Sequence, residues 1–98
     1  MPKPKGWHKE DIKAAIRKRG TTLVELSLAN GLVRDACSLA LIRPYFTAEM
    51  VIAEFLGVSP RQIWPQRYDA DGTYRHPGSQ RNYIRRRMER ERQNGEAA

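Results

Sequence analysis

The sequence has little of the chemistry that metal sites and disulfide scaffolds need. It contains one cysteine, Cys37, and two histidines, His8 and His76, that lie far apart. A single cysteine excludes an internal disulfide framework, and no Cys and His residues occur together at the spacing of zinc ligands. We therefore predict no metal ion and no other cofactor. Cys37 itself is expected to be a small buried hydrophobic residue.

Long apolar runs are also missing. The longest nearly apolar stretch, ACSLALI at 36–42, is much shorter than the roughly 20 residues that cross a membrane. The first residues, MPKPKGWHKED, carry charge but no following apolar stretch, which is not the pattern of a secretory signal. No serine-hydrolase elbow, phosphate loop or zinc-protease motif occurs. The sequence predicts a soluble, cytoplasmic protein that is not an enzyme, contacts no membrane and has no evident small-molecule ligand.

Basic residues are in excess. The chain has 18 Lys and Arg against 11 Asp and Glu, a net charge of +7 on 98 residues. Residues 1–68 hold eleven basic and six acidic residues, and residues 69–98 hold seven and five. A small protein of this charge is typical of those that bind polyanions, because its cations displace the counterions of phosphates. The alternative is a basic surface that is merely solvated.

The chain divides into three parts by composition. Residues 1–6 are interpreted as a flexible basic arm, and residues 7–68 hold nearly all the large aliphatic side chains. Residues 69–98 have few sizeable apolar groups, so we predict a mostly disordered basic tail. A transient helix over about 82–93 is the alternative for part of that tail.

Residues 7–68 predict an all-α fold of five short helices, with no strand-like alternation. Gly20 and Gly57 supply helix stops, and Thr22 and Thr47 supply N-caps. Ser59 opens a capping box followed by proline, after which Ile63 and Trp64 fold back onto the core. The predicted helices cover about 9–19, 23–30, 34–42, 48–56 and 60–64.

The second and third predicted helices have helix-turn-helix spacing, with Gly31 in the turn between them. In such a motif the first helix crosses the DNA backbone and the second lies in the major groove. The expected internal contacts are Leu26, Leu32, Cys37, Ala40 and Leu41. The residues left to face the groove are Arg34, Asp35, Ser38, Leu39 and Ile42.

The chain resembles the Ner-like transcriptional regulators of Mu-type phages and their bacterial relatives. The resemblance lies in WHKEDIKAAIRKRGTTL at 7–23, ELSLANGL at 25–32, ALIRPYF at 40–46 and EMVIAEFLGVSPRQIWPQRY at 49–68. It implies a compact five-helix domain like that of lambda-type repressors, acting in the bacterial cytoplasm or nucleoid on phage or prophage-type genes by operator binding. Leu39 and Cys37 depart from the usual recognition helix, so the target sequence does not carry over.

Each candidate contact has a functional and a structural interpretation. Arg34 pairs with guanine, or contacts a phosphate or solvent; Ser38 contacts a base or a phosphate. Asp35 accepts from cytosine or, as we favour, charges the helix start. Leu39 meets a thymine methyl group or a partner subunit. The candidate phosphate contacts from helix ends and loops are Thr21, Thr22 and Arg43. Three lysines near the start of the chain, Lys3, Lys5 and Lys9, are further candidates for the DNA backbone or a minor groove, and the alternative for them is a solvated terminus.

The sequence therefore predicts a regulator that binds a double-stranded DNA operator and could self-associate there, with half-sites about 34 Å apart. Two alternatives stay open. One is a protein-interaction adaptor that uses exposed Leu28, Leu39 and Ile42 on the same fold. The other is RNA binding through the Arg-rich segment 85–92.

Overall fold

The computed structural model describes the backbone of residues 6–97 and the side chains of residues 6–93. The fold is all-α, as predicted, and the described part of the chain holds six α-helices and one 3₁₀ helix. Strand pairing there is limited to one antiparallel bridge between Tyr68 and Tyr74. The elements are α1 Lys9–Lys18, α2 Leu23–Ala29, α3 Ala36–Ala40, α4 Phe46–Leu56, α5 Pro60–Ile63, a 3₁₀ helix Pro65–Arg67 and α6 Pro77–Ala97.

The first five helices match the five that the sequence predicts; α4 is longer than predicted and the other four are shorter. Helix α1 begins after His8, whose Nδ1 accepts a hydrogen bond from the Glu10 amide at 3.1 Å. Its buried residues, Ile12 and Ile16, lie one turn apart on the face that packs on the core. Beyond its end, the Arg19 guanidinium donates to the carbonyls of Phe55 and Leu56, so it satisfies the free C-terminal end of α4.

Helix α4 starts two residues earlier than predicted. Thr47 was the expected N-cap, but the helix begins at Phe46 and its N-cap residue, Tyr45, makes no side-chain capping bond. Other groups satisfy the free amides of this end: the Glu49 carboxylate accepts from the Tyr45 amide and the Ser79 hydroxyl accepts from the Phe46 amide, both at 2.7 Å. Gly57 ends the helix in the left-handed conformation, with φ of 72°.

The core forms where α1, the two helices of the predicted motif, α4 and α5 meet. The capping box at Ser59 is present, and Ile63 and Trp64 fold back into the interior as predicted. Trp7 ties the start of the chain to α5 through its amide, which donates to the Ile63 carbonyl at 3.0 Å. The buried apolar residues of this core are Ile12, Ile16, Leu26, Leu32, Ala36, Cys37, Ala40, Ala48, Ile52, Ala53, Leu56, Ile63 and Trp64.

The prediction of a mostly disordered tail does not hold for residues 69–97. Residues 69–76 turn back on the domain, and α6 follows them. Tyr74 is only 3% exposed, and its ring meets Phe46 edge-on at a centroid distance of 4.7 Å. The ring of Tyr83 in α6 also meets Phe46 edge-on, at a centroid distance of 5.1 Å. The few aromatic residues of this segment are enough to order it because α4 offers them an apolar surface to cover.

A buried charged group fastens this segment to α4. Glu49 is fully buried, and its Oε2 lies 3.1 Å from the Arg67 guanidinium and accepts from the Tyr74 hydroxyl at 2.7 Å. Arg67 also stacks over the Trp64 ring. Burial and the hydrogen bond to Glu49 raise the pKa of Tyr74 well above its ordinary value, so its hydroxyl stays protonated and donates. The cluster Glu49–Arg67–Tyr74 therefore joins three parts of the chain.

No helix among the described residues has both the length and the apolar character needed to cross a bilayer. Likewise, no three His, Cys, Asp or Glu side chains of the described residues lie close enough together to hold a metal ion.

Candidate nucleic-acid interface

Helices α2 and α3 form a helix-turn-helix around Gly31. The glycine has φ of 71°, a conformation that residues with a Cβ rarely adopt, and it lets the chain reverse directly after α2. The Gly31 and Leu32 amides donate to the carbonyls of Leu28 and Ser27, which closes the end of α2. Leu32 then enters the core at 6% exposure. The turn therefore fixes where α3 begins.

Ser27 locks the two helices to each other. It is fully buried, its hydroxyl donates to the Leu23 carbonyl at 2.8 Å, and its oxygen accepts from the Cys37 amide at 3.0 Å. The Cys37 amide lies in the first turn of α3, where no intrahelical acceptor exists. Cys37 is buried beside it, as predicted, and this burial raises the pKa of its thiol. A side chain of α2 thus caps α3 and sets its position.

Replacing Ser27 with alanine is expected to lower the free energy of unfolding by about 1–3 kcal/mol, because the buried Cys37 amide loses its acceptor. Urea denaturation followed by circular dichroism measures the change. Ser38→Ala is the matched control, since Ser38 is half-buried on α3 and has no hydrogen bond that fastens the motif; its effect is expected within about 0.5 kcal/mol. Equal stabilities of the two variants would contradict the role of Ser27.

The predicted groove-facing residues lie together around α3. The helix is shorter than predicted, so Arg34 and Asp35 occupy the turn before it, and both are exposed. Ser38 and Leu39 lie within it and are half-buried, whereas Ile42 follows it at 67% exposure. Asp35 occupies the N-cap position, but its side chain makes no capping hydrogen bond. Its carboxylate therefore acts on the helix start through charge alone.

The two threonines before α2 differ in what they can donate. The Thr22 hydroxyl oxygen caps α2 by accepting from the Glu25 amide at 3.1 Å, which leaves its proton for an outside acceptor. The Thr21 hydroxyl instead donates to the Glu25 carboxylate at 3.0 Å. Thr22 is exposed and Thr21 is half-buried. The geometry favours Thr22 over Thr21 as a hydrogen-bond donor to a phosphate.

Two predicted phosphate contacts lie at different distances from the motif. Arg43 is exposed in the loop directly after α3. Lys9 is the first residue of α1, at the end away from Thr21 and Thr22, and it lies about 14 Å along the helix axis from Lys18. The structure therefore groups Arg43 with α3 and leaves Lys9 apart. Lys3 and Lys5 lie outside the described residues.

Sequence reasoning missed three residues that position this surface. Ser27 fixes α3, Arg19 holds the end of α1 on α4, and Arg86 of α6 donates to the Gly31 carbonyl at 3.3 Å. A serine at an inward position of an amphipathic helix is a readable signal, because buried hydroxyls need partners. The two arginines contact residues 36 and 55 positions away in the chain, and no local sequence pattern predicts such contacts.

Comparison with known proteins identifies the family. A family model described as winged helix-turn-helix DNA-binding matches residues 6–94. The chain belongs to this winged helix-turn-helix DNA-binding family. The family match includes most of the segment after Tyr68, which the resemblance to Ner-like regulators did not cover. In this family member the bridge between Tyr68 and Tyr74 is the only strand pairing among the described residues.

Individual relatives confirm the resemblance seen in the sequence. The chain is 44% identical over 68 residues to the sugar fermentation stimulation protein B of Escherichia coli K12, covering 69% of this chain and 74% of the relative. It is 45% identical over 62 residues to the negative regulator of transcription of phage D108, covering 63% and 85%. The negative regulator of transcription of phage Mu is 37% identical over 68 residues, covering 69% and 91%. The winged helix-turn-helix chain is therefore similar to Ner-type regulators over most of their length.

Proposed function

We propose that the protein is a negative regulator of transcription that binds a specific double-stranded DNA operator in bacteria, with α3 in the major groove. The observation that carries the proposal is the placement of α3. Ser27 and the core hold its inner side, while the exposed Arg34 directly precedes it and the half-buried Ser38 and Leu39 lie within it. A helix held in this way can enter a groove about 12 Å wide without rearranging the domain. The relatives named negative regulators of transcription favour repression.

The exposed groups divide into base contacts and phosphate contacts. Arg34 carries the donors that match guanine O6 and N7, and Leu39 offers an apolar group to a thymine methyl. Thr22 directly precedes the motif in the chain and Arg43 follows it, both are exposed, and we assign both to phosphates of the duplex. Since residues 1–20 hold seven basic and two acidic residues, general affinity comes from the N-terminal region and specificity from α3. Lys9 belongs to this general contribution.

Arg34→Ala is expected to weaken binding to the operator by about 1–3 kcal/mol and to relax the preference at one base pair. The guanidinium is exposed, so its removal should leave the fold unchanged. Binding of fluorescent duplexes with every single base substitution measures both effects. Arg61→Ala, an exposed arginine of α5, is the matched control. Uniform weakening on all duplexes would make Arg34 a phosphate contact instead.

The experiment that tests the function is selection of duplexes from a random library by the full chain. We expect one recovered sequence, affinity that falls steeply with salt, and lowered expression of a reporter that carries the sequence upstream. Recovered half-sites about 34 Å apart would support binding as a pair. Affinity that does not change with salt, or recovery of no common sequence, would contradict the proposal and favour an adaptor that uses the exposed Leu28 and Ile42.

A further inference from the structure

Helix α6 packs on α4 and contacts the chain before and after α3. Near its start, the Ser79 hydroxyl accepts from the amide of Phe46, which follows α3 in the chain. Farther along, Arg86 donates to the carbonyl of Gly31, which precedes α3. Ser79 and Arg86 are seven positions apart, which is about 10 Å along the helix axis. The rest of α6 continues past the helix-turn-helix turn, and the molecule measures 50 Å along its longest axis.

The arginines of α6 are not distributed evenly around it. Tyr83 marks the inner face, since its ring contacts Phe46 of α4. At about 100° per residue, Arg81, Arg85 and Arg92 point within about 40° of one another, on the face opposite Tyr83. All three are exposed. We call these three residues the outer arginine row.

No residue of the outer arginine row forms an ion pair among the described side chains, although Glu89 lies four residues after Arg85 and three before Arg92. Among the described side chains of α6, the ion pair is the one between Arg87 and Glu91 at 3.4 Å, and neither of these residues belongs to the row. Residues 81–92 contain six arginines and two glutamates, a net charge of +4 within little more than three turns. Unpaired guanidinium groups that repel one another along a helix are destabilising unless an external anion neutralises them.

The spacing of the row fits a linear polyanion. Arg81 and Arg85 are about 6 Å apart along the helix axis, and Arg85 and Arg92 are about 10 Å apart. The duplex presents one phosphate charge per about 1.7 Å of its axis, so a row about 16 Å long meets several phosphates at once. Arginine suits this role because its planar donors match phosphate oxygens.

We propose that α6 is a second DNA-binding element, whose outer arginine row binds the phosphate backbone of the duplex next to the segment that α3 occupies. This proposal rests on the proposed function, since it places α6 on the same duplex. The row contacts phosphates only, so it adds affinity without sequence preference. Its attachment to Gly31 through Arg86 couples its position to that of the recognition helix.

The test compares two triple variants of the full chain with the same net charge. The first combines Arg81→Gln, Arg85→Gln and Arg92→Gln. The control combines Arg61→Gln, Arg75→Gln and Arg87→Gln, which are surface cations of α5, the turn before α6 and α6 itself that already have partners within the protein. Glutamine has nearly the helix propensity of arginine, and circular dichroism verifies that both variants are folded.

We expect the outer-row variant to bind every duplex more weakly and to keep the ratio of affinities for selected and unrelated duplexes. The slope of log affinity against log salt concentration should fall in magnitude by about 2.7, which is about 0.9 for each lost phosphate contact. A slope equal to that of the control variant would overturn the proposal and leave the proposed function intact. A fall in affinity for single-stranded RNA of equal length, with duplex binding unchanged, would overturn it as well. If the wild-type chain prefers no duplex sequence, the proposed function itself fails, whatever the row does.

Discussion

Replacing Glu49 with alanine is expected to lower the free energy of unfolding by about 3–5 kcal/mol, because one partner of a buried ion pair is removed. The Arg67 guanidinium, with its side chain 13% exposed, would lose its counter-charge. The Tyr74 hydroxyl and the Tyr45 amide would lose their acceptor at the same time. Such a loss is a large part of the 5–15 kcal/mol that stabilises a typical domain. Urea or thermal denaturation measures it.

Two further variants make this result specific. Glu54→Ala removes an exposed carboxylate from the same helix and is expected to change the stability by less than about 0.5 kcal/mol. Glu49→Leu combined with Arg67→Met removes both charges, and it should be less destabilising than Glu49→Ala because no buried charge is left unpaired. Within the described residues Glu49 Oε1 accepts no hydrogen bond, which adds to the cost of burying the pair. A loss below about 1 kcal/mol in Glu49→Ala would contradict the structural role of the cluster.

A chain that ends at Tyr68 is expected to lose about 3–5 kcal/mol of stability, the range found when a large buried aromatic side chain is removed. Without Tyr74 and Tyr83, the Phe46 ring is uncovered and Glu49 loses a hydrogen-bond donor. If residues 69–98 formed the mostly disordered tail that the composition predicts, their removal would leave operator binding largely intact. The structure changes that expectation: binding should weaken because a smaller fraction of the chain is folded. Thermal denaturation and duplex binding at two temperatures measure both effects.

A chain that ends at Gln80 is the control for the truncation. It keeps Tyr74 and the Ser79 hydroxyl that accepts from the Phe46 amide, so it loses the Tyr83 contact and the arginines of α6. We expect most of the stability to return while duplex affinity stays low, because the outer arginine row is absent. Equal stability of the chains ending at Tyr68 and Gln80 would show that Tyr74 does not hold the domain together.

The part of the fold that sequence reasoning predicted is the part that local rules control. Apolar spacing and end signals such as Gly57 and Ser59 place the first five helices, because each depends on residues within one or two turns. The start of α4 was misplaced for the opposite reason. Thr47 is a good cap by type, but Glu49 and the distant Ser79 satisfy the amides at that end. A cap supplied by a distant residue such as Ser79 cannot be recognised from the sequence around the start of the helix.

The ordered C-terminal segment shows where composition is insufficient. Its apolar content is too low to form a core of its own, which is why a disordered tail was predicted. Tyr74 and Tyr83 do not form a separate core; they cover Phe46, which the sequence had placed before the fourth helix. The burial of Glu49 could not be predicted from the sequence for a related reason. A glutamate is normally solvated, and only the contacts with Arg67 and Tyr74 make its burial tolerable.

The candidate interface was predicted as a set but not in detail. Arg34, Ser38 and Leu39 lie around α3 because the helix-turn-helix spacing fixes which residues the core takes. The sequence could not distinguish Thr22 from Thr21, since that difference depends on the direction of the Glu25 side chain. That these residues contact DNA stays a prediction.

The central claim, that α3 reads base edges in the major groove, is tested most directly by guanine methylation interference on the selected operator. Methylation of guanine N7 alters only the major-groove edge that an arginine would contact. We predict interference at one or more guanines of the operator for the wild-type chain, and loss of interference at one of them for Arg34→Ala. Binding that is blocked by phosphate ethylation but by no methylated guanine, in an operator that contains guanines, would contradict the account.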